Sequence, residues 1–425
     1  MSRLAIINGI RTPFCKMGTS FHHTSAQELG RLAARELIER MNFDVSLIDE
    51  VIIGNVCQPA DAANISRVIA LSAGIPDTTP AFTVHRNCAS GIESAVQAAI
   101  KLQAGEGQCF LIGGTESMSN VPFFMDKRLQ DILSGLQRAK TFTDKLKTFA
   151  KIRPKYLSPK VGLMLGLTDP VCGLNMGQTA EVLAKEFGIS RQEQDRFALE
   201  SHLRAISARD RLKEEIMPVI PGPKYQEAVL DDNGPREGQT IEALGKLKPY
   251  FDRLSGTVTA GNASQITDGA CIMLAASEEK VRELGLEPLG YIRAHAFAGV
   301  EPHRMGIGPA HAIPKVLKKA GMKLSDIDAF EINEAFAAQV IACLRALESE
   351  GFAQKFGYEG FTGTIDPLKL NVNGGAIALG HPVGTTGARL ILTMLKHMQR
   401  NNLSNGLVSL CIGGGQGAAV LLERK

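Results

Sequence analysis

Apolar and polar positions along this chain follow two alternating patterns. Short apolar runs bounded by polar or glycine residues predict buried strands. Longer runs with apolar residues three and four apart predict helices. The opening M-S-R-L-A-I-I-N-G-I-R-T-P-F predicts a first β-strand, its apolar run being too short for a signal peptide. The segments L-I-D-E-V-I-I-G-N-V (47–56) and D-I-D-A-F-E-I-N-E (326–334) each follow a polar stretch and predict short buried strands. Gly91 opens the helix-like I-E-S-A-V-Q-A-A-I-K-L, and a strand Q-C-F-L-I-G-G follows, ending at Gly114. Gly387 opens A-R-L-I-L-T-M-L-K-H-M, and the strand G-L-V-S-L-C-I-G-G follows, ending at Gly414. T-D-G-A (267–270) then runs into C-I-M-L-A-A-S-E, and G-Q-G-A (415–418) runs into A-V-L-L-E. Three features recur in the same order, so the chain reads as an internal duplication in which each copy closes on the same edge strand. The alternation of strands and helices predicts α/β layers with mainly parallel sheets.

A different stretch, 121–253, separates the copies. Leu129, Leu133 and Leu136, then Phe142, Leu146 and Phe149, fall three or four residues apart, which puts each trio on one helical face. Residues 126–160 hold ten cations and three anions, a local net charge of +7. Such a helix can lie on an anionic membrane, dock on a partner, or pack on its own domain with a solvated basic face. Residues 176–212 predict further helix, the first segment ending at a glycine C-cap. The expected organisation is a first half at 1–120 plus 254–280, an inserted loop domain at 121–253, and a second half at 281–425.

Composition narrows the class. The chain has 425 residues, enough for about three domains at roughly 150 residues each. A net charge of +3 gives no general pull toward nucleic acid. The eight cysteines, Cys15, Cys57, Cys88, Cys109, Cys172, Cys271, Cys343 and Cys411, form no C-x-x-C pair. They point to a reducing compartment rather than to zinc or a disulfide framework. No apolar run approaches the roughly 20 residues that span a bilayer. A soluble, cytoplasmic protein with no metal site is expected.

Four segments can carry chemistry. Cys88 in V-H-R-N-C-A-S-G lies between a strand-like A-F-T-V and a helix. Peptide dipoles at a helix start favour a thiolate and lower its pKa. A buried structural cysteine is the competing reading. His381 sits in N-V-N-G-G-A-I-A-L-G-H-P-V-G-T-T-G (371–387) and can serve a thiol as base, or simply cap a helix. Cys411 in C-I-G-G-G-Q-G ends a strand beside three glycines, whose N–H groups can form an oxyanion hole or only a turn. Asn333 in I-N-E-A-F-A ends another strand, where it can orient water or a developing oxyanion, or be part of a turn.

Together these segments resemble the thiolase family. N-C-A-S-G at Cys88, N-E-A-F-A at Asn333, G-H-P-x-G at His381 and C-x-G-G-G-Q-G at Cys411 are similar to its four catalytic motifs in order and spacing. The resemblance runs from R-T-P-F at Arg11 to the last strand. It implies an α/β fold of two duplicated halves in α/β/α/β/α layers, with an inserted, mainly helical loop domain. It implies an acyltransferase that cleaves 3-ketoacyl-CoA with CoA through an acyl thioester on Cys88. His381 would be the base for Cys88, and Cys411 the acid/base at the α-carbon. One oxyanion hole would use His381 and water held by Asn333, the other the backbone N–H groups of Cys88 and Gly413. Arg236 and Ser264 would contact CoA, which is a substrate; no permanently bound cofactor is implied.

The segment D-K-R-L-Q-D-I-L-S-G-L-Q-R-A-K is similar to the loop domain of the beta subunit in the trifunctional fatty-acid oxidation enzyme. That likeness implies β-oxidation of medium to long chains, a hydratase–dehydrogenase alpha subunit as partner, and peripheral membrane contact. Asn333 departs from that group, which has His there, and matches the acetoacetyl-CoA type. An acetyl-CoA C-acetyltransferase is therefore the alternative activity. A ketoacyl synthase would need a second catalytic His, and an inactive acyl-CoA-binding scaffold would not need Cys88, His381 and Cys411. A homodimer or tetramer is expected from the family.

Overall fold

Nine apolar strands build the main sheet of the computed structural model, which describes residues 3–358, 360 and 362–424. In chain order they are β1 (Leu4–Arg11), β2 (Glu50–Gly54), β3 (Ala81–Val84), β4 (Cys109–Glu116), β5 (Thr267–Ser277), β6 (Gly290–Gly299), β7 (Ala329–Ile332), β8 (Asn405–Ile412) and β9 (Gln416–Glu423). Their order across the sheet is β7-β8-β9-β6-β1-β5-β4-β2-β3, and the short strand Cys15–Lys16 adds to β5. The chain divides into two compact units, Val121–Thr168 and everything on either side of it.

The larger unit shows the duplication directly. From β1 outward, β5 and β4 follow antiparallel, then β2 and β3 parallel. From β6 outward, β9 and β8 follow antiparallel, then β7 parallel. A parallel bridge from Phe330 to Leu370 stands where β3 stands in the first half. An antiparallel β1–β6 ladder joins the copies. The sheet is thus mixed rather than mainly parallel, and β5 and β9 are internal rather than edge strands. The cause lies in one connection. Gly413–Gly415 joins β8 to β9, and so short a link allows only antiparallel neighbours. In the first half the same step, β4 to β5, carries the long insertion and keeps the antiparallel pairing.

Helices form three layers around these strands. The helix Ser90–Ala104, which follows Cys88, and the helix Val383–Arg400, which follows His381, pack on one another and against strands of both halves. Both are buried around most of their circumference until their last turns, with small and polar residues such as Ser94, Thr385 and Thr386 among the buried ones. Ala26–Met41 covers β5 on the outside of the first half, and Gly308–Ala320 covers β6 and β9 on the outside of the second. Three apolar cores fill the spaces between these layers.

The central helices touch through glycine. A Cβ on Gly91 would lie 2.5 Å from the backbone N of Ala388, and one on Gly387 would lie 2.5 Å from that of Ile92. The two contacts are each other's image under exchange of the halves. A buried ion cluster ties the first strand to the insertion. Arg11, 0% exposed, meets Glu215 at 2.6 Å and Asp232 at 2.7 Å. A buried guanidinium needs such partners to offset desolvation.

The unit Val121–Thr168 contains the helices Lys127–Arg138 and Phe142–Phe149, which pack on one another and match the two predicted apolar trios. Residues 123–124 and 160–161 pair as a short antiparallel ribbon. In the larger unit, residues 176–212 form three helices, and Gly188, in the left-handed region, follows the first. No helix among the described residues is long and apolar enough to cross a membrane.

Replacing Gly387 by Val forces a side chain into the backbone of the partner helix. Overpacking of this kind costs about 1–3 kcal/mol. The Gly387→Val protein should show a lower midpoint in denaturant titration; an unchanged midpoint would contradict the close approach.

Candidate active site

Cys88 lies on the turn between β3 and the helix Ser90–Ala104. Asn87 adopts a left-handed φ of 43° and donates its Nδ2 to the carbonyl of Gly413 at 2.7 Å. Ser90 Oγ donates to the carbonyl of Asn87 at 2.7 Å and accepts from the N–H of Arg86 at 2.9 Å. These bonds fix Cys88 against the glycine turn after β8. Burial pushes its thiol up, while the backbone N–H groups of Gly413 and of Cys88 itself pull the other way. The lowering expected from the helix start is therefore not the larger effect. Burial disfavours the charged form more strongly, so ionisation depends on a base.

His381 is almost fully buried at the entry to the second central helix. Its backbone N–H donates to the carbonyl of Gln265 at 3.0 Å. Its Nδ1 lies 2.7 Å from Thr386 Oγ1, which in turn donates to the carbonyl of Pro382 at 3.1 Å. That arrangement makes Nδ1–H the donor to Thr386 and leaves the lone pair on Nε2. No hydrogen-bond partner reaches Nε2. Burial, with the nearby Arg389 cation adding to it, lowers the imidazole to about 3. It is a neutral ring with one free acceptor, the form in which an imidazole can take a proton.

Cys411 sits near the end of β8, paired with Gly417 across the hairpin. Burial pushes its thiol well up, and the charges of Cys88 and Cys343 push in the same direction. A thiolate on Cys88 therefore disfavours one on Cys411, so ionisation of one thiol opposes ionisation of the other.

Asn333 follows β7, with its N–H on the carbonyl of Ser409 at 2.9 Å, two residues before Cys411. Its side chain is 1% exposed, yet neither the amide oxygen nor the nitrogen has a protein partner. Buried amides are normally satisfied, so this one is suited to a water or a ligand oxygen. The segment 263–265 links the loops: Ala263 bridges to Phe336, Ser264 N–H donates to the carbonyl of Ala335 at 2.9 Å, and Gln265 holds His381. Ser264 is half-buried in that link. Arg236 is exposed, and its backbone N–H donates to His202 Nδ1 at 3.2 Å. It lies two residues after Gly234, whose carbonyl is tied to the 377–378 loop through Gln265 Nε2.

Two buried carboxylates hold these loops and do not stand out from motif spacing. Glu334 accepts from Ser201 Oγ at 2.6 Å and Asn371 Nδ2 at 2.8 Å, and its carboxyl carbon would be 2.2 Å from a Cβ on Gly375. Glu116 accepts from the loop after β2 and from the first turn of the His381 helix. For Glu116 the signal available in the sequence is a single carboxylate closing the strand C-F-L-I-G-G-T-E.

Two family models cover nearly all of the chain: thiolase, N-terminal domain over residues 4–279, and thiolase, C-terminal domain over residues 286–424. A 3-ketoacyl-CoA thiolase of Pseudoalteromonas translucida is 42% identical over 99% of this chain and 97% of its own length. One from Escherichia coli is 39% identical over the same shares. The crystal structure of the Bacillus anthracis acetyl-CoA acetyltransferase superposes with a TM-score of 0.86 at 35% identity, covering 100% of this chain and 99% of that one. Human mitochondrial 3-ketoacyl-CoA thiolase in complex with CoA gives a TM-score of 0.84 at 35% identity, covering 100% and 98%. With both halves matched and the duplicated α/β layers shared, the chain belongs to the thiolase family.

Proposed function

We propose that this protein is a 3-ketoacyl-CoA thiolase of fatty-acid β-oxidation, with Cys88 as its acyl carrier. The observation that carries the reading is His381, a buried neutral imidazole whose Nε2 has no partner and whose other nitrogen is held by Thr386. In this mechanism His381 takes the proton of Cys88, and the thiolate attacks C3 of the 3-ketoacyl-CoA. The C2–C3 bond breaks, the shortened acyl group stays on sulfur, and Cys411 gives its proton to the departing acetyl-CoA carbanion. Cys411, now a thiolate, takes the proton of incoming CoA. The CoA sulfur attacks the acyl-enzyme, releasing the shortened acyl-CoA and the Cys88 thiolate, which regains its proton from His381. One thiolate at a time suits two buried thiols that raise one another.

Each attack develops negative charge on an oxygen, and fixed donors lower that barrier. The N–H groups of Cys88 and Gly413 serve the acyl-enzyme oxygen; His381 and water on Asn333 serve the other thioester oxygen. Ser264 contacts the pantetheine arm, and Arg236 reaches a CoA phosphate or base. The halves divide as 1–120 plus 254–280 and 281–425, with 121–253 as the loop domain. A second reading, making or cleaving acetoacetyl-CoA, draws on Asn333 and on the likeness to the Bacillus anthracis acetyl-CoA acetyltransferase.

For partners we propose a homodimer or tetramer that pairs with a hydratase–dehydrogenase alpha subunit and touches membrane. The membrane reading rests on 126–160, where Phe142, Leu146 and Phe149 are 80%, 58% and 60% exposed on one basic helix. Exposed aromatic residues beside lysines suit the boundary of an anionic bilayer.

Thiolysis of acetoacetyl-CoA and of a long-chain 3-ketoacyl-CoA, compared in one assay, should favour the long chain. Turnover of the short substrate alone would favour the second reading. Cys88→Ala should lower kcat on the order of 10³-fold or more and take up no acyl label. The Cys411→Ala protein should still accept an acyl group on Cys88 but fail to exchange the α-protons of acetyl-CoA with deuterated water. Normal exchange would remove Cys411 from the acid/base role. In flotation with vesicles rich in anionic lipid, the full chain should float, and Phe142→Ser/Leu146→Ser/Phe149→Ser should float less; equal flotation refutes membrane contact through this helix.

A further inference from the structure

Glu116 is a charged group buried against the active-site loops that the mechanism above does not use. It ends β4 and is wholly buried. One carboxylate oxygen, Oε1, accepts from Asn55 Nδ2 at 3.1 Å and from the N–H of Cys57 at 3.0 Å. The other, Oε2, accepts from the N–H of Val56 at 3.1 Å and of Gly384 at 2.9 Å. Gly384 lies in the first turn of the His381 helix, two residues before Thr386, the hydroxyl that holds the His381 ring. A Cβ on Gly384 would sit 2.7 Å from Oε2, so the approach needs glycine.

The duplication shows what this group has become. Exchange of the halves carries Gly91 onto Gly387, and therefore Cys88 onto Gly384. The β4–β5 register sets Glu116 opposite Gly269, and the β8–β9 register sets Cys411 opposite Gly417. Because T-D-G-A matches G-Q-G-A, Glu116 is the counterpart of Cys411. The registers of β2 with β4 and of β7 with β8 likewise make Asn55 the counterpart of Asn333. The first half thus repeats the Asn–Cys pair of the second as an Asn–Glu pair, and protein N–H groups fill the space around it.

We propose that Glu116 is a positioning residue for the thiolase reaction: its carboxylate clamps the first turn of the His381 helix to the Asn55–Cys57 loop, so that Thr386 keeps the His381 ring in its base orientation. All four partners are donors, which an ionised carboxylate satisfies and an amide does not. A glutamine would turn its own N–H₂ toward two of them. The helix N-terminus also favours a negative group there. Burial pushes the carboxyl up to about 7, while the N–H groups of Cys57, Gly384 and Val56 pull it down and Asp268 adds to the rise. Its charge reaches Cys88 and Cys57 and opposes their ionisation, as Cys88 and Cys411 oppose one another.

The test is Glu116→Gln in the full chain, and it rests on the roles given above to Cys88 and His381. Loss of wild-type turnover on alkylation of Cys88 by iodoacetamide checks the Cys88 role without involving Glu116. The Gln variant should lose at least tenfold in kcat with both KM values within twofold. Its Cys88 alkylation should shift its midpoint to lower pH, because one opposing charge is gone. A rise of more than twofold in either KM alongside the fall in kcat would mean a general structural loss and overturn the proposal, as would kcat within twofold of wild type. If the Gln variant does not fold, Asn55→Ala decides, since it removes one donor and leaves the carboxylate. A kcat drop of threefold or more at unchanged KM supports the clamp, and unchanged kcat overturns it.

Discussion

The contact on which the rest of this structure depends is the backbone-to-backbone meeting of two helices through Gly91 and Gly387. Each helix starts beside a side chain of the candidate site, Cys88 for one and His381 for the other. Because neither glycine carries a Cβ, the helices come within direct backbone reach, and their starts enter one buried region with the turn after β8. The side chains at this contact are small or apolar, so burial is nearly complete. That burial then sets the electrostatics of the site.

In such surroundings a charge is costly, and every titrating group responds in the direction of its neutral form. The thiols of Cys88 and Cys411 are raised, and the imidazole of His381 is lowered. The resting site holds two thiols and a neutral imidazole, with the N–H groups of Gly413 and Cys88 aimed at the Cys88 sulfur. In the proposed mechanism the proton moves only as the reaction develops charge, in keeping with donors fixed in advance rather than ions stored in the interior. The buried carboxylates Glu116 and Glu334 are raised by burial in the same sense, and several donors on each offset part of that rise.

The duplication explains how one fold tolerates a long insertion. The second half crosses from β8 to β9 with three glycines, and the first half crosses the same gap with some 150 residues. Strand order and direction do not change. The turn is a place where the halves can differ freely, because the flanking ladders are already fixed by their neighbours. It is also where the Gly413 N–H meets the Cys88 sulfur in the second half, so that turn and the insertion point occupy equivalent places.

Much was legible in the residues alone. Period and glycine spacing were enough for the repeat, for the helices after Cys88 and His381, and for the two amphipathic helices of 126–160, because these signals are local. The four motifs pointed to Cys88, Asn333, His381 and Cys411 through their joint resemblance to the thiolase family, each being a modest signal alone. Strand direction was not legible: it depends on which strands become neighbours, and the Gly413–Gly415 hairpin made the sheet mixed. The thiol pKa was not legible either, because a helix start argues for lowering while burial, a property of the whole packing, wins. The clamp by Glu116 joins residues 55–57, 116 and 384, separated by up to more than three hundred positions. Sequence fixes which groups are present; only the folded layers decide which of them meet, and in what dielectric.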